Sequence, residues 1–258
     1  MVYKRVGDVE LKVEVFPPPA FKAGVTYPAI VLFFGGGWKN GAPSQFYPQA
    51  AHFAARGMIV LCADYRTESK NGVAPRVCVE DAKSCLRWVR AHVKELQIDP
   101  RRIAAGGGSA GGHLAAATAI LPGLDDPQDD LSISCRPDAL VLFNPVIDNG
   151  PENYGYDRVK GYYRDFSPAH NLHAGLPPTI ILQGTKDALI PLKTMEHFES
   201  EMRRLGNRCE VKYYDGQPHG FFNFKDGHNP YYQQTVDAAD AFLVSLGYLA
   251  PPAGSVKK

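Results

Sequence analysis

The chain predicts an α/β fold, a mostly parallel central sheet with helices on both faces. Three observations carry that reading. Apolar runs alternate with helix-like segments almost from end to end of the 258 residues. The runs at 29–34, 139–146 and 179–183 are largely continuous rather than alternating, as expected of strands buried on both faces. No internal repeat or interdomain linker interrupts the rhythm, so residues 1–258 read as one domain.

Taken in order, 9–16 alternates and reads as an early edge strand, followed by a Pro-rich turn. The run 29–34 ends in Gly35-Gly36-Gly37. Residues 44–56 read as a helix stopped by Gly57, and 58–65 as the next strand. From 75 to 98, Val79, Ala82, Leu86, Val89, Val93 and Leu96 recur at spacings of three and four, with Arg87, Arg90 and Lys94 off that stripe; this is the clearest helix. A short strand at 102–106 precedes a helix of small residues after Ser109. Strands at 139–146 and 179–183, a helix at 191–205, a strand at 210–214 and a helix at 231–246 complete the pattern. Residues 148–176, rich in Tyr, Gly, Asn and Pro, are long for such a connection and read as a lid-like insertion, the kind of loop that carries function.

Composition narrows the function. With 45% apolar residues the chain has material for a sizeable core, and its formal net charge of +1 implies no nucleic-acid partner. The longest apolar run is too short to span a bilayer, so no membrane partner is expected. No signal-peptide hydrophobic region follows Lys4-Arg5; the expectation is a cytoplasmic chain, or an exported one whose leader has been removed. Five cysteines, Cys62, Cys78, Cys85, Cys135 and Cys209, show no C-x-x-C spacing. Cys78 and Cys85 lie two helical turns apart, about 10 Å along the axis and beyond disulfide reach. They read as reduced thiols. His170 and His173 lack further ligands nearby, so no metal is expected.

The chemistry gathers at strand ends. Gly107-Gly108-Ser109-Ala110-Gly111 matches G-x-S-x-G where a strand turns into a helix, the sharp turn that exposes a nucleophilic serine. Asp187, in Gly184-Thr185-Lys186-Asp187, follows one strand; His219, in Gly216-Gln217-Pro218-His219-Gly220, follows the last. Ser, Asp, His in that order, each past a strand's carboxyl end, is the order of an α/β-hydrolase triad. Phe34-Gly35-Gly36-Gly37-Trp38 ends an earlier strand where an oxyanion loop belongs. Asp148 is the alternative acid. Gly106-x-Gly108-x-x-Gly111 also satisfies a dinucleotide fingerprint, but it falls after about four strands rather than in the first βα turn, and Asp125 and Asp126 sit in a turn. A dinucleotide-binding oxidoreductase therefore ranks below the nucleophile.

These segments, with Asp64-Tyr65-Arg66, Gly112-His113 and His219-Gly220-Phe221-Phe222, resemble the hormone-sensitive-lipase-like esterases, closest to the compact bacterial carbohydrate esterases that include acetyl xylan and feruloyl esterases. The resemblance runs from about residue 29 to the last helix. It implies an α/β-hydrolase fold with a small cap or none, a serine esterase on short acyl esters such as acetyl or feruloyl esters of carbohydrates, and no cofactor. It implies that Ser109, Asp187 and His219 are catalytic and that the amides of Gly36, Gly37 and Ala110 form the oxyanion hole. The family's loop begins with histidine, where this chain has Phe34. A peptidase of the same fold is the other hydrolase reading, without room here for the usual propeller domain.

Among remaining candidates, His113 reads as a buried, hydrogen-bonded residue and His52, His92 and His197 as partly exposed helix positions. His228 is a loop histidine that could touch substrate. Asp64, Arg66 and Asp81 read as an ion network, and Phe33, Phe53 and Trp88 as core. Phe34, Trp38, Tyr154, Tyr156, Phe221 and Phe222 are the expected substrate contacts, with Tyr162 and Tyr163 in the same loops.

Overall fold

A computed structural model describes residues 1–225 and 229–252. Among them one eight-stranded sheet comprises β1 (Val2–Val6), β2 (Val9–Phe16), β3 (Tyr27–Phe33), β4 (Ile59–Ala63), β5 (Ile98–Gly108), β6 (Ala139–Phe143), β7 (Thr179–Gly184) and β8 (Cys209–Tyr214). The helices are α1 (Tyr47–Ala55), α2 (Glu68–Asn71), α3 (Pro75–Ala91), α4 (Ala110–Ile120), α5 (Tyr156–Val159), α6 (Tyr163–Phe166), α7 (Leu192–Arg204) and α8 (Pro230–Ser245). The order across the sheet is β1-β2-β4-β3-β5-β6-β7-β8. The β1–β2 and β2–β4 pairs are antiparallel and all the others parallel. This is the α/β-hydrolase fold.

The continuous apolar runs follow from two-sided burial. Along β3, Val31 and Phe33 join one core with Val79 and Leu86 of α3, Leu114 of α4 and Phe198 of α7. Ile30 and Leu32 join another with Phe53 of α1 and Phe242 of α8. Successive side chains point to opposite faces, so a strand covered on both is apolar at nearly every position.

Two elements and one ion network depart from expectation. Strand β1 was not anticipated because Lys4 and Arg5 mask it; Lys4 Nζ is drawn inward between Asp81 at 2.8 Å and Asp126 at 2.7 Å. The long helix stops at Ala91. Gln97 takes φ +55°, and Ile98 begins β5 opposite Tyr27. Val93 and Leu96, which continue the helical spacing, pack on the core from the intervening turn. The 148–176 segment, expected as an insertion, carries α5, α6 and a 3₁₀ turn at Pro168–His170. Arg66 and Asp81 do form an ion pair, but Asp64 stands apart from it, accepting from the Tyr65 amide at 3.0 Å.

Candidate active site

The parallel strands deliver their loops to one edge. After β5 the chain turns directly into α4 at Ser109, which adopts φ +54° and ψ −119°, an uncommon conformation for a residue with a side chain. Its carbonyl accepts from the amides of His113 and Val146, both at 3.0 Å, and its own amide donates to Phe143 at 3.0 Å. A Cβ at Gly111 would overlap the Phe33 and Phe34 carbonyl oxygens, so only glycine lets α4 approach β3 this closely.

The loops after β5, β7 and β8 bring together three predicted residues. His219 Nε2 lies 2.8 Å from Ser109 Oγ, and His219 Nδ1 lies 2.7 Å from Asp187 Oδ2. Facing a carboxylate, Nδ1 carries the proton, which leaves Nε2 free to accept from the serine hydroxyl. Asp187 also accepts from Gln183 Nε2 at 3.1 Å and from the amides of Leu189 and Ile190 at 2.9 and 3.0 Å. Burial alone would push its carboxyl up, but the His219 hydrogen bond and charge and the two amides outweigh it and hold it below the usual value. Asp148 is elsewhere: it accepts from the Gly150 amide at 2.7 Å and faces His170 at 3.6 Å.

Beside Ser109 the chain leaves β3 through Gly36 at φ +116° and Gly37 at φ +63°. Among the described residues, the amides of Gly36, Gly37 and Ala110 find no hydrogen-bond partner. Gly36 and Gly37 line a cavity of about 290 Å³ with Ser109 and His219, and Ala110 begins α4, whose amino end favours negative charge.

The aromatic expectations divide. Tyr154 and Phe222 line the cavity. Phe222 is wedged over Gly108 and packs on Phe46 and Phe143, at 5.7 and 5.0 Å between ring centres. The other four are corrected. Phe34 turns into the core and stacks on Tyr65 at 4.1 Å, while Tyr65 Oη donates to the Phe34 carbonyl. Trp38 is buried beneath the loop against His113 and Phe166, with Arg158 over its ring. Phe221 packs on Tyr214 and Tyr231. Tyr156 lines a neighbouring cleft of about 650 Å³ with Tyr154 and Arg158. Each of these rings found a hydrophobic or cationic partner outside the cavity, and adjacency to a glycine loop does not specify which way a ring turns.

The cavity wall also contains residues not anticipated: Asn40, Gln45, Asn144, Leu189 and Asn223. Asn144, at φ +33°, accepts from the Gly220 amide at 2.9 Å, and its amide nitrogen lies 3.5 Å from His219 Nε2. Its position just past β6 is the one sequence signal that could have marked it. His113 is fully buried, Nε2 donating to the Phe166 carbonyl at 2.9 Å. His228 lies outside the described residues.

The dinucleotide reading finds no support, because Asp125 and Asp126 are engaged by Arg87 and Lys4. All five cysteines are free thiols. Among the described residues no group of three or more His, Cys, Asp or Glu could hold a metal ion, and no helix is long and apolar enough to cross a membrane.

Sheet, elbow and hydrogen-bonded Ser-His-Asp line together define an α/β-hydrolase-fold protein with a site of the serine-hydrolase type. The chain belongs to the BD-FAE family, which matches residues 14–151; residues 151–246 match the dienelactone hydrolase family. It is similar to esterase 2 of Thermogutta terrifontis. The structure of that enzyme phosphoramylated by tabun is 47% identical with a TM-score of 0.93, covering 97% of this chain and 95% of that one. Its propionate-bound structure is 46% identical with a TM-score of 0.92, at the same coverage. The probable carboxylic ester hydrolase LipM of Mycobacterium tuberculosis is 28% identical, over 72% of this chain and 47% of its own length. An acetylxylan esterase of Xylanibacter ruminicola is 28% identical, over 75% of this chain and 41% of its own length. The chain thus spans about half the length of the curated relatives it matches, or less.

Proposed function

We propose that the protein is a serine carboxylic-ester hydrolase acting on short acyl esters, with acetyl or feruloyl esters of carbohydrates as its natural substrates. The observation that carries this is the unbroken line from Asp187 through His219 to Ser109 Oγ, opening on a cavity beside three unpartnered amides. His219 takes the Ser109 proton as Oγ attacks the ester carbonyl, while Asp187 holds the ring in the tautomer that can accept it. The Gly36, Gly37 and Ala110 amides receive the developing oxyanion; one such donor is typically worth about 3–4 kcal/mol in the transition state. His219 then protonates the departing alcohol and activates the water that releases the acyl group.

Acyl length is limited by the wall. Phe222 is packed by two other rings and cannot yield cheaply, and overfilling a packed pocket costs about 1–3 kcal/mol. Propionate in the structure of the Thermogutta enzyme is in keeping with a short acyl group. The amide-bearing wall of Asn40, Gln45 and Asn223 suits a hydroxylated alcohol, and the acetylxylan esterase relative supports a carbohydrate there.

The test is kcat/KM across acetyl, butyryl and octanoyl nitrophenyl esters, alongside acetate release from acetylated xylan. Acetyl or butyryl should exceed octanoyl by about 10–200-fold. A maximum at octanoyl, or an acetylated xylan left intact, would overturn the short-acyl or the carbohydrate part respectively.

A further inference from the structure

Three hydrogen bonds run from the oxyanion loop to the histidine loop through two side-chain amides. The Gly35 amide donates to Gln45 Oε1 at 2.6 Å, Gln45 Nε2 donates to Asn223 Oδ1 at 3.0 Å, and Asn223 Nδ2 donates to the Gly220 carbonyl at 2.8 Å. The chain has one direction. A backbone N–H can only donate and a carbonyl can only accept, so both amide orientations are set from the two ends and every member is satisfied. Its ends adjoin the chemistry. Gly35 precedes Gly36, and a Cβ built on it would stand 3.4 Å from Ser109 Cβ; Gly220 follows His219. Asn223 is itself steadied through its carbonyl, which accepts from Asn229 at 2.6 Å.

We infer that Gln45 and Asn223 are positioning residues that lock the oxyanion loop in register with the histidine loop. The inference rests on the esterase reading above. Gly36 and Gly37 occupy positive φ, their carbonyls are held by the Lys39 and Asn40 amides and by Arg158, and the Gly35 amide is the anchor that ties this turn to the histidine loop. Donors must point where the oxyanion forms, not where the ground-state carbonyl lies, so releasing the loop costs turnover more than substrate affinity.

The experiment compares Gln45→Met, Asn223→Ala and the double variant with wild type on nitrophenyl acetate. It also measures inhibition by a short alkyl trifluoromethyl ketone, which binds as a tetrahedral oxyanion. Each single variant should lower kcat by about 10–100-fold with KM changed less than about threefold, and should lose ketone affinity in step. Because the residues act as one chain, the double variant should be no worse than the worse single variant, within about threefold. Gln45→Glu keeps the acceptor for Gly35 but sets an oxygen against Asn223 Oδ1, and its turnover should fall at least as far. It covers the case in which Gln45→Met does not fold. Full activity in either Gln45 variant, multiplicative losses in the double variant, or KM effects alone would overturn the inference. If wild type hydrolyses the ester and Ser109→Ala does not, the proposed function stands whatever these variants do.

Discussion

Asp187 is distinguished from other carboxylates by its surroundings. It accepts from His219, Gln183, Leu189 and Ile190, and burial, which opposes its charge, is outweighed. A carboxyl held below its usual range stays ionised beside the ring and orients it. Replacing it with asparagine keeps the volume but permits the wrong tautomer. Asp187→Asn should lower kcat/KM for nitrophenyl acetate by about 10⁴-fold. Asp148→Asn, whose change falls on the Gly150 and Ser167 contacts, should stay within about threefold of wild type. The reverse ranking in the same assay would show that the acid had been misassigned. The acid was legible because Asp187 follows a strand in Gly184-Thr185-Lys186-Asp187. Gln45 and Asn223 were not, because an amide in a loop has no spacing that distinguishes a wall residue from a solvated one.

At the scale of elements, α4 does two jobs: it presents Ser109, and it anchors the loops on either side of it. His113, one turn in, donates to Phe166 of α6 and packs against Trp38 beyond the oxyanion loop. Burial drives its pKa down from 6.5 to about 4, against the opposing effect of the Phe166 carbonyl. Between those values the unfolded chain binds a proton that the folded chain refuses, so stability falls as pH drops from about 6.5 toward 4 and levels off below it. The loss should reach about 2–3 kcal/mol by roughly pH 4.5. Urea unfolding of wild type and His113→Gln at pH 7.5, 5.5 and 4.5 checks this: the glutamine variant should lack that part of the decline. Parallel curves would mean that another group governs it. The helix itself was legible only in outline. Every residue from Ala110 to Ile120 is buried, and Leu114 is the one large aliphatic before Ile120, so no apolar stripe marks a single inward face.

Across the whole molecule, what could be read in advance was what burial and covalent order dictate. Strands covered on both faces are apolar along most of their length, so β3, β6 and β7 were visible, Thr179 and Gln183 of β7 notwithstanding; β1 was not, because Lys4 is polar in sequence yet enclosed by Asp81 and Asp126. The triad was visible because each member follows a strand, and a parallel sheet brings those ends to one edge. The cavity wall was not, because the direction of Phe34 and Trp38 depends on partners distant in sequence. We propose that this topology makes Ser109 the nucleophile. Incubation with paraoxon followed by intact-mass and peptide analysis tests it most directly. One diethylphosphoryl group per chain should appear on Ser109 in parallel with loss of ester hydrolysis, and Ser109→Ala should neither take up the group nor hydrolyse the ester. Labelling at another residue that tracks the loss of activity, or an active Ser109→Ala variant, would contradict it.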